Sequence, residues 1–297
     1  MRIRRSIGWA KGFSVESVQK IIDSVCDAVC IDLEDGVPAG KKEFARELTA
    51  KMLKEMNFHG SEKIVRVNPF GSEDFKRDIM QVLSVIAPDA IRVPKCESVV
   101  DMLEIDRLLA EIEKNQNLSL NSIEVIAMIE SPTGIRNAFD IASCCKRVTA
   151  LNVGMEDLTR EMGVERRYSD NELDLIYARQ KAVLDAKAAG VQIIDSCLLI
   201  GNQESNFKQN TESRQMGFDG RSVHDNAEAE NANKVFCPSE ELIAFSRGAV
   251  EAYKRDALTD AENVVYEGKR ICFAAYEKAL DVLNLDKLIK EHEKRRK

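Results

Sequence analysis

Two apolar runs of the sequence end abruptly at carboxylates, and this arrangement suggests metal chemistry. One run begins at Val125 and stops at Glu130; the other begins at Ala150 and stops at Glu156 and Asp157. Uninterrupted apolar runs of this length are typical of strands buried on both faces, so the acids would lie where a strand reaches the rim of its sheet. Two acidic rims close together in the chain offer the oxygen ligands that a hard divalent cation prefers. The pattern predicts part of a cation site.

Polar residues also follow the other strand-like runs of the chain. They are Asp32, Glu34, Asp35, Arg66, Asn68, Lys95 and Asp195. Any one acid alone could be a helix N-cap or a solvated loop residue, but caps need not follow apolar runs so regularly. Because the acids outnumber the cations among these residues, they would repel one another unless they held a metal ion. Mg²⁺, with Mn²⁺ as the alternative, takes one or two carboxylates and leaves positions for waters and substrate oxygens.

Arg66 is suited to receive an anionic substrate group. Its planar guanidinium can hold a carboxylate with two hydrogen bonds, or share negative charge that develops during a reaction. A bound cation could meanwhile polarise a carbonyl group and stabilise an enolate. The alternative for Arg66 is a structural ion pair with one of the nearby acids.

The elements that must position these residues alternate between strands and helices. Besides the two opening runs, the predicted strands are residues 6–9, 28–35, 63–69, 90–95, 191–195 and 222–224. Units of about thirty residues indicate parallel βαβ connections. Seven or eight such units over about 250 residues fit a (β/α)8 TIM barrel better than an open sheet, and all its strand ends face one mouth. The absence of GxGxxG and GxxxxGK[ST] sequences counts against a nucleotide-binding doubly wound fold.

The barrel is predicted to occupy residues 1–256. Residues 257–297 are predicted to form a C-terminal helical extension, which ends in a charged helix from Leu285 to Lys297. A helix is also predicted from Leu173 to a stop at Gly190, because glycine commonly follows the last helical residue.

Composition restricts the classes of partner and the cellular compartment. The net charge of −7 argues against nucleic acid or a membrane surface as a partner. With no bilayer-length apolar run and no secretory signal, the chain is predicted to be cytoplasmic. Its eight cysteines are then expected to be reduced core residues rather than disulfides. The three histidines are far apart in sequence, which disfavours a zinc site.

Several short motifs occur in the order of one known family. They are CIDLEDGV from Cys30, RVN from Arg66, VPK from Val93, IES from Ile129, GMEDL from Gly154, GFDG from Gly217 and FCPSEE from Phe236. With this ordered set the chain resembles the citrate lyase β-subunit and malyl-CoA/citramalyl-CoA lyase family of the HpcH/HpaI aldolase superfamily. That resemblance implies a magnesium-dependent carbon–carbon lyase on a TIM barrel, which assembles into homotrimers or hexamers with a C-terminal lid over a neighbouring site.

The resemblance also implies roles for single residues. Glu130 and Asp157 match the family's magnesium ligands, and Arg66 matches the arginine that contacts substrate oxygens. Glu34 and Asp35 match acids behind the metal's water ligands. The backbone from Gly154 through Met155 and Glu156 matches the loop that receives the carboxylate of the 2-oxo acid.

The chain departs from the family pattern at three places. Trp9-Ala10-Lys11-Gly12 stands where the family usually has Phe-Val-Pro-Gly, and the proline of an Ile-His-Pro segment is missing after His224. In the lid motif, Cys272 replaces the aspartate that handles the proton of the acyl-CoA. The metal and 2-oxo acid half of the site is intact, whereas the thioester half is altered.

These features support one main prediction and two alternatives. The main prediction is a magnesium-dependent lyase or aldolase that cleaves a 3-hydroxy acid or its CoA thioester, releasing a small 2-oxo acid through a metal-stabilised enolate. The first alternative is a CoA-free aldolase that uses the enolate of pyruvate. The second is a non-catalytic subunit that retains the barrel to assemble a larger lyase complex.

Overall fold

The barrel of the protein is closed by parallel strands in sequential order. The computed structural model describes residues 2–166, 174–198, 203–260 and 264–296. Within these ranges eight parallel strands pair with their sequence neighbours, and the last pairs with the first. The strands are β1 Ser6–Lys11, β2 Ala28–Asp32, β3 Glu62–Arg66, β4 Ala90–Val93, β5 Glu124–Ile129, β6 Val148–Val153, β7 Gln192–Asp195 and β8 Gly220–Val223. The predicted (β/α)8 fold is confirmed.

The helices that connect these strands begin and end at residues with clear local signals. They are α1 Val15–Ile22, α2 Lys42–Glu55, α3 Glu73–Asp78, α4 Val99–Asn115, α5 Pro132–Arg136, α6 Ala138–Ser143, α7 Met155–Met162, α8 Ile176–Ala189, α9 Gln203–Met216 and α10 Asn226–Val235. The hydroxyls of Ser14, Ser72, Ser98 and Ser131 each accept a hydrogen bond from a backbone N–H of the helix they precede, as N-caps do. Gly190 ends α8 as predicted, with φ at +72°. Leu173, the predicted start of that helix, lies outside the described residues.

The chain forms two compact units, residues 4–234 and residues 1–3 with 235–297. The second unit contains α11 Glu240–Asp260, the two-stranded β9 Val265–Tyr266 and β10 Lys269–Arg270, and α12 Phe273–Arg296. The last helix is thus longer than predicted, because the amphipathic stretch before Leu285 packs Ala279 into the apolar core of this unit. The functional division at residue 256 and the packing of residues 257–297 on a neighbouring subunit stay predictions. None of the described helices could span a membrane, and the cytoplasmic location stays a prediction.

The interior of the barrel is organised in layers, because alternate residues of a strand point to the same face. A middle layer of small and branched residues forms one apolar cluster, made of Ile7, Ala28, Cys30, Ile64, Ala90, Ile126, Ala150 and Ile194. Two residues further along six of these strands stands an upper layer, made of Trp9, Asp32, Arg66, Arg92, Met128 and Asn152. The upper layer is nearer to the carboxyl ends of the strands, where barrel enzymes carry their active sites.

The closure of the barrel depends on one close backbone approach. A Cβ added at Gly220 would lie 1.9 Å from the backbone oxygen of Arg4, so we expect Gly220→Ala to lower the free energy of unfolding by about 3 kcal/mol. Gly40→Ala is the control, because a Cβ there meets nothing within 4 Å, and its stability should change by about 0.5 kcal/mol or less. Urea unfolding measures both variants, and equal stabilities would contradict the close approach.

Candidate active site

Asp32 holds together the loop that follows β2. Its carboxylate accepts hydrogen bonds from the backbone N–H groups of Glu34 and Gly36, both at 2.9 Å. A Cβ at Gly36 would lie 2.2 Å from the Oδ2 atom of Asp32, so only glycine permits this close wrap. The same carboxylate accepts from the Nε and Nη2 atoms of Arg66, at 2.6 and 2.7 Å. Asp32 therefore fixes both the acidic loop and the guanidinium.

Arg66 is paired with two acids and still reaches the cavity. Its Nη1 atom lies 2.6 Å from the Oε2 atom of Glu34, and its guanidinium lies 4.5 Å from the centre of the Trp9 ring. Burial opposes the charge, but the hydrogen bonds and charge of Asp32 outweigh it and raise the pKa of Arg66. Arg66 thus forms the structural ion pair that was the alternative to a role in substrate binding. Its side chain nevertheless lines the cavity.

Glu130 is held against the start of α7. Its Oε1 atom accepts from the backbone N–H of Lys95 at 2.7 Å, and Lys95 reaches this position with φ at +55°, a left-handed conformation that is uncommon for residues other than glycine. A Cβ at Gly154 would lie 2.3 Å from the Oε2 atom of Glu130. The glycine therefore lets a buried carboxylate lie directly against the backbone where β6 leads into α7.

Negative charge is concentrated around Glu130. Burial raises the pKa of Glu130 to about 7, and the neighbouring charges of Glu34 and Asp157 act in the same direction. Burial also raises the pKa of Glu34, although Arg66 opposes this. The Nζ atom of Lys95 lies 3.4 Å from the Oε1 atom of Glu34. Carboxylates that raise the pKa of a neighbour in this way form an environment that a divalent cation would relieve.

A cavity of about 610 Å³ at the mouth of the barrel brings most of the predicted residues together. Those that line it are Asp35, Arg66, Glu130, Gly154, Met155, Glu156 and Asp157. Glu34 lies behind the lining and is buried. No group of three His, Cys, Asp or Glu residues in the described ranges could hold a metal ion by itself. A cation bound here would need water or substrate oxygens in addition to the protein's carboxylates.

Two rim residues, Asn68 and Asp195, form internal hydrogen bonds and ion pairs instead of lining this cavity. The Nδ2 atom of Asn68 donates to the backbone oxygen of Leu33 and to Asp78. Asp195 is buried and forms ion pairs with Arg179 and Arg221. At the helix that follows β6, Glu156 pairs with Arg166, and Asp157 pairs with Arg160 at 2.7 Å.

Sequence reasoning gave no role to Asp32, Trp9 or Lys95. Asp32 was recognised only as one of the rim acids, and Trp9 only as a departure from the family pattern. A spacing of two residues beyond the inward-facing Ile7 and Cys30 would have placed Trp9 and Asp32 in the barrel interior. The bond between Lys95 and Glu130 depends on a left-handed backbone that a sequence pattern does not reveal.

Comparison with known proteins identifies the family. The model of the HpcH/HpaI aldolase/citrate lyase family matches residues 5–226. The chain belongs to this family. Its relatives include the citrate lyase subunit beta of Haemophilus influenzae, 32% identical, with 95% of this chain and 97% of that protein covered. The family and the lyase class of enzyme predicted from the motifs are confirmed.

Two further relatives extend the comparison. The mitochondrial citramalyl-CoA lyase of Homo sapiens is 28% identical, with 97% of this chain and 87% of that protein covered. The structure of the protein CitE from Mycobacterium tuberculosis, in complex with magnesium, acetoacetate and coenzyme A, matches with a TM-score of 0.77 and 22% identity. The match covers 96% of this chain and 98% of the Mycobacterium tuberculosis chain. At that identity the structural match supports the shared fold.

Proposed function

We propose that this lyase is magnesium-dependent and cleaves a carbon–carbon bond in a 3-hydroxy acid or its CoA thioester, releasing a small 2-oxo acid. The observation that carries the proposal is that Glu130, Asp157 and Arg66 line one cavity with the buried Glu34 behind them, where burial and charge repulsion raise the pKa of Glu130 to about 7. Such a cluster suits a cation together with an anionic ligand.

Glu130 and Asp157 are the residues that would hold the metal ion. Their hard oxygen atoms suit Mg²⁺ or Mn²⁺, and the deficit of protein ligands suits an ion that keeps waters and takes substrate oxygens. Glu34 and Asp35 would accept hydrogen bonds from those waters. When bound, the ion would supply positive charge beside the oxygens of the 2-oxo acid. The Mycobacterium tuberculosis protein, whose structure was determined in complex with magnesium, acetoacetate and coenzyme A, supports magnesium as the ion.

The chain itself would orient the substrate. The first turn of α7, beginning at Met155, presents backbone N–H groups that have no partner within the helix, and such groups commonly bind carboxylates. Arg66 would donate to an oxygen on which negative charge develops during cleavage. Its pairing with Asp32 and Glu34 keeps the fork in place before the substrate arrives, which lowers the cost of ordering it.

One observation favours the CoA-free aldolase as the second candidate. Cys272, at the position of the lid aspartate, is exposed and adds no carboxylate to this segment. A substrate without a thioester would not need that acid. In either case we expect a homo-oligomer, a trimer or a hexamer.

The test is to supply Mg²⁺ with either a CoA thioester, malyl-CoA or citramalyl-CoA, or the corresponding free hydroxy acid. Released 2-oxo acid is measured by coupling to a dehydrogenase. Turnover of a thioester supports the main proposal, and turnover of a free acid alone supports the second candidate. If neither class is cleaved and no 2-oxo acid binds with Mg²⁺ in calorimetry, the chain is a non-catalytic subunit and the proposal is wrong.

Gly154→Ala should weaken magnesium binding without unfolding the protein. The added Cβ would lie 2.3 Å from Oε2 and 2.6 Å from the Cβ of Glu130, so that side chain must move. Gly154 has φ at −110°, which alanine adopts freely. We expect calorimetry to show about tenfold weaker binding, because loss of a good carboxylate contact costs roughly 1–2 kcal/mol. Gly40→Ala is the control, and unchanged affinity in Gly154→Ala would contradict the placement of Glu130 at the metal.

A further inference from the structure

Arg92 is a buried cation without an ion-pair partner in the described part of the chain. It lies on β4 with 0% of its surface exposed. Its Nη1 atom donates to the Oγ atom of Ser222 at 3.2 Å, and its Nε and Nη2 atoms have no acceptor among the described residues. Arg4 and Arg147 are equally buried, yet each pairs with a glutamate at 2.6 Å. Buried charges are normally paired, so Arg92 is the exception that needs an explanation.

The surroundings of Arg92 do not supply the missing negative charge. The ring of Trp9 contacts two guanidiniums, with its centre 4.5 Å from that of Arg66 and 4.7 Å from that of Arg92. The aromatic face attracts a cation but does not neutralise it. Burial lowers the pKa of Arg92, and the positive charges of Arg66 and Arg4 act in the same direction. Arg66 is compensated by two acids, whereas Arg92 is not.

The position of Arg92 connects it to the candidate active site. Of the six upper-layer residues, the other five line the cavity, and Arg92 is covered. Ser222 lines the same cavity, and its oxygen accepts from Arg92. The hydroxyl proton of Ser222 has no acceptor in the described ranges and is available to a ligand. Ser222 can thus present a donor to the cavity with a full positive charge behind it.

We propose that Ser222 and Arg92 form a second anion subsite at the floor of the cavity, which receives the distal carboxylate of a dicarboxylic 2-oxo acid. This inference rests on the proposed function, since the 2-oxo end of the ligand must be held near Glu130. A carboxylate at Ser222 accepts a hydrogen bond and compensates Arg92 across a short distance, where the low dielectric constant strengthens the attraction. The subsite selects products with two carboxylates, such as oxaloacetate, over pyruvate or glyoxylate.

A purely structural role for Arg92 and a role in ligand binding predict different effects of its replacement on stability. If packing and the Trp9 contact were its purpose, Arg92→Met would lower the melting temperature. Replacing an uncompensated buried charge with an apolar side chain of similar length is instead often neutral or stabilising. Arg147→Met is the matched control, because it leaves the buried Glu113 without its partner and should lower the melting temperature.

The experiment compares the binding of pyruvate and freshly dissolved oxaloacetate by calorimetry, with Mg²⁺ present. We expect the wild type to bind oxaloacetate about 10- to 100-fold more tightly, the range for a hydrogen bond assisted by charge. In Arg92→Met this preference disappears, pyruvate binding is unchanged, and the melting temperature is equal or higher. Ser222→Ala, a smaller change that guards against misfolding, loses at least part of the preference.

Three results would overturn the inference. Equal affinities for the two ligands in the wild type, or a preference retained in Arg92→Met and Ser222→Ala, would show that the subsite does not exist while leaving the proposed function standing. Failure of the wild type to bind either 2-oxo acid with Mg²⁺ would overturn the proposed function and the inference together.

Discussion

Arg66→Lys is expected to lower the rate of carbon–carbon cleavage by about 10²–10³, the usual cost of removing one donor that acts on developing charge. Lysine keeps the positive charge but loses the planar fork. That fork now binds Asp32 through two nitrogens and Glu34 through the third, so a single ammonium group satisfies fewer of these contacts. The rate should fall while circular dichroism shows that the fold is kept. Steady-state kinetics on the substrate identified in the cleavage assay measures the effect.

Arg107→Lys is the matched control for this prediction. Arg107 also pairs with two acids, Glu104 and Glu111, but these pairs lie on the exposed face of α4. Exposed pairs of this kind contribute little, so its kinetics should equal those of the wild type. If Arg66→Lys also had wild-type kinetics, Arg66 would serve only as the structural partner of Asp32 and Glu34.

The barrel and the acidic ends of β5 and β6 were predictable from the sequence. A strand that is buried on both faces appears in the sequence as a run of apolar residues. Strands such as β2 and β5 are nearly continuous apolar runs, and the first charge after them marks the rim. Glu130 and the adjacent acids Glu156 and Asp157 are recognisable for this reason, and the resemblance to the family singles out Glu130 and Asp157 as ligands. Their roles as metal ligands remain a proposal.

The electrostatic arrangement of the site was less accessible to sequence reasoning. Arg66 could be named, but its partners depend on the loop that wraps around Asp32, which requires Gly36 and two backbone donors. Arg92 lies within an apolar strand and gives no sign of whether it is paired. The neighbours of Arg92 are Trp9 from β1 and Ser222 from β8. These two strands are distant in sequence and become adjacent only when the barrel closes.

Magnesium binding is expected to weaken about tenfold for each pH unit below 7, because the ion and a proton compete for Glu130. The carboxyl group has a pKa of about 7 in the folded protein and 4.5 as its ordinary value, so the folded protein holds this proton more tightly than the unfolded chain does. The metal-free fold is therefore most stable, with respect to this group, below pH 4.5. It loses up to about 3 kcal/mol as the pH rises to 7 and above.

Glu130→Gln separates these effects from the titration of the other acids. The amide cannot ionise, so the metal-free variant should be more stable than the wild type at pH 8, and its magnesium binding should be weak at every pH. Asp140→Asn, which changes an exposed acid of α6, should keep the affinity and the pH profile of the wild type. Calorimetry between pH 5 and 8 measures the profile, and thermal unfolding without metal measures the stability.

Magnesium affinity that does not change with pH in the wild type, or a Glu130→Gln variant that binds the ion normally, would remove Glu130 from the metal site. In that case the charge crowding around Glu130 must be offset by the protein itself, and Arg66, whose Nη1 atom lies 2.6 Å from Glu34 and whose positive charge lowers the pKa of Glu130, is the cation placed to do so.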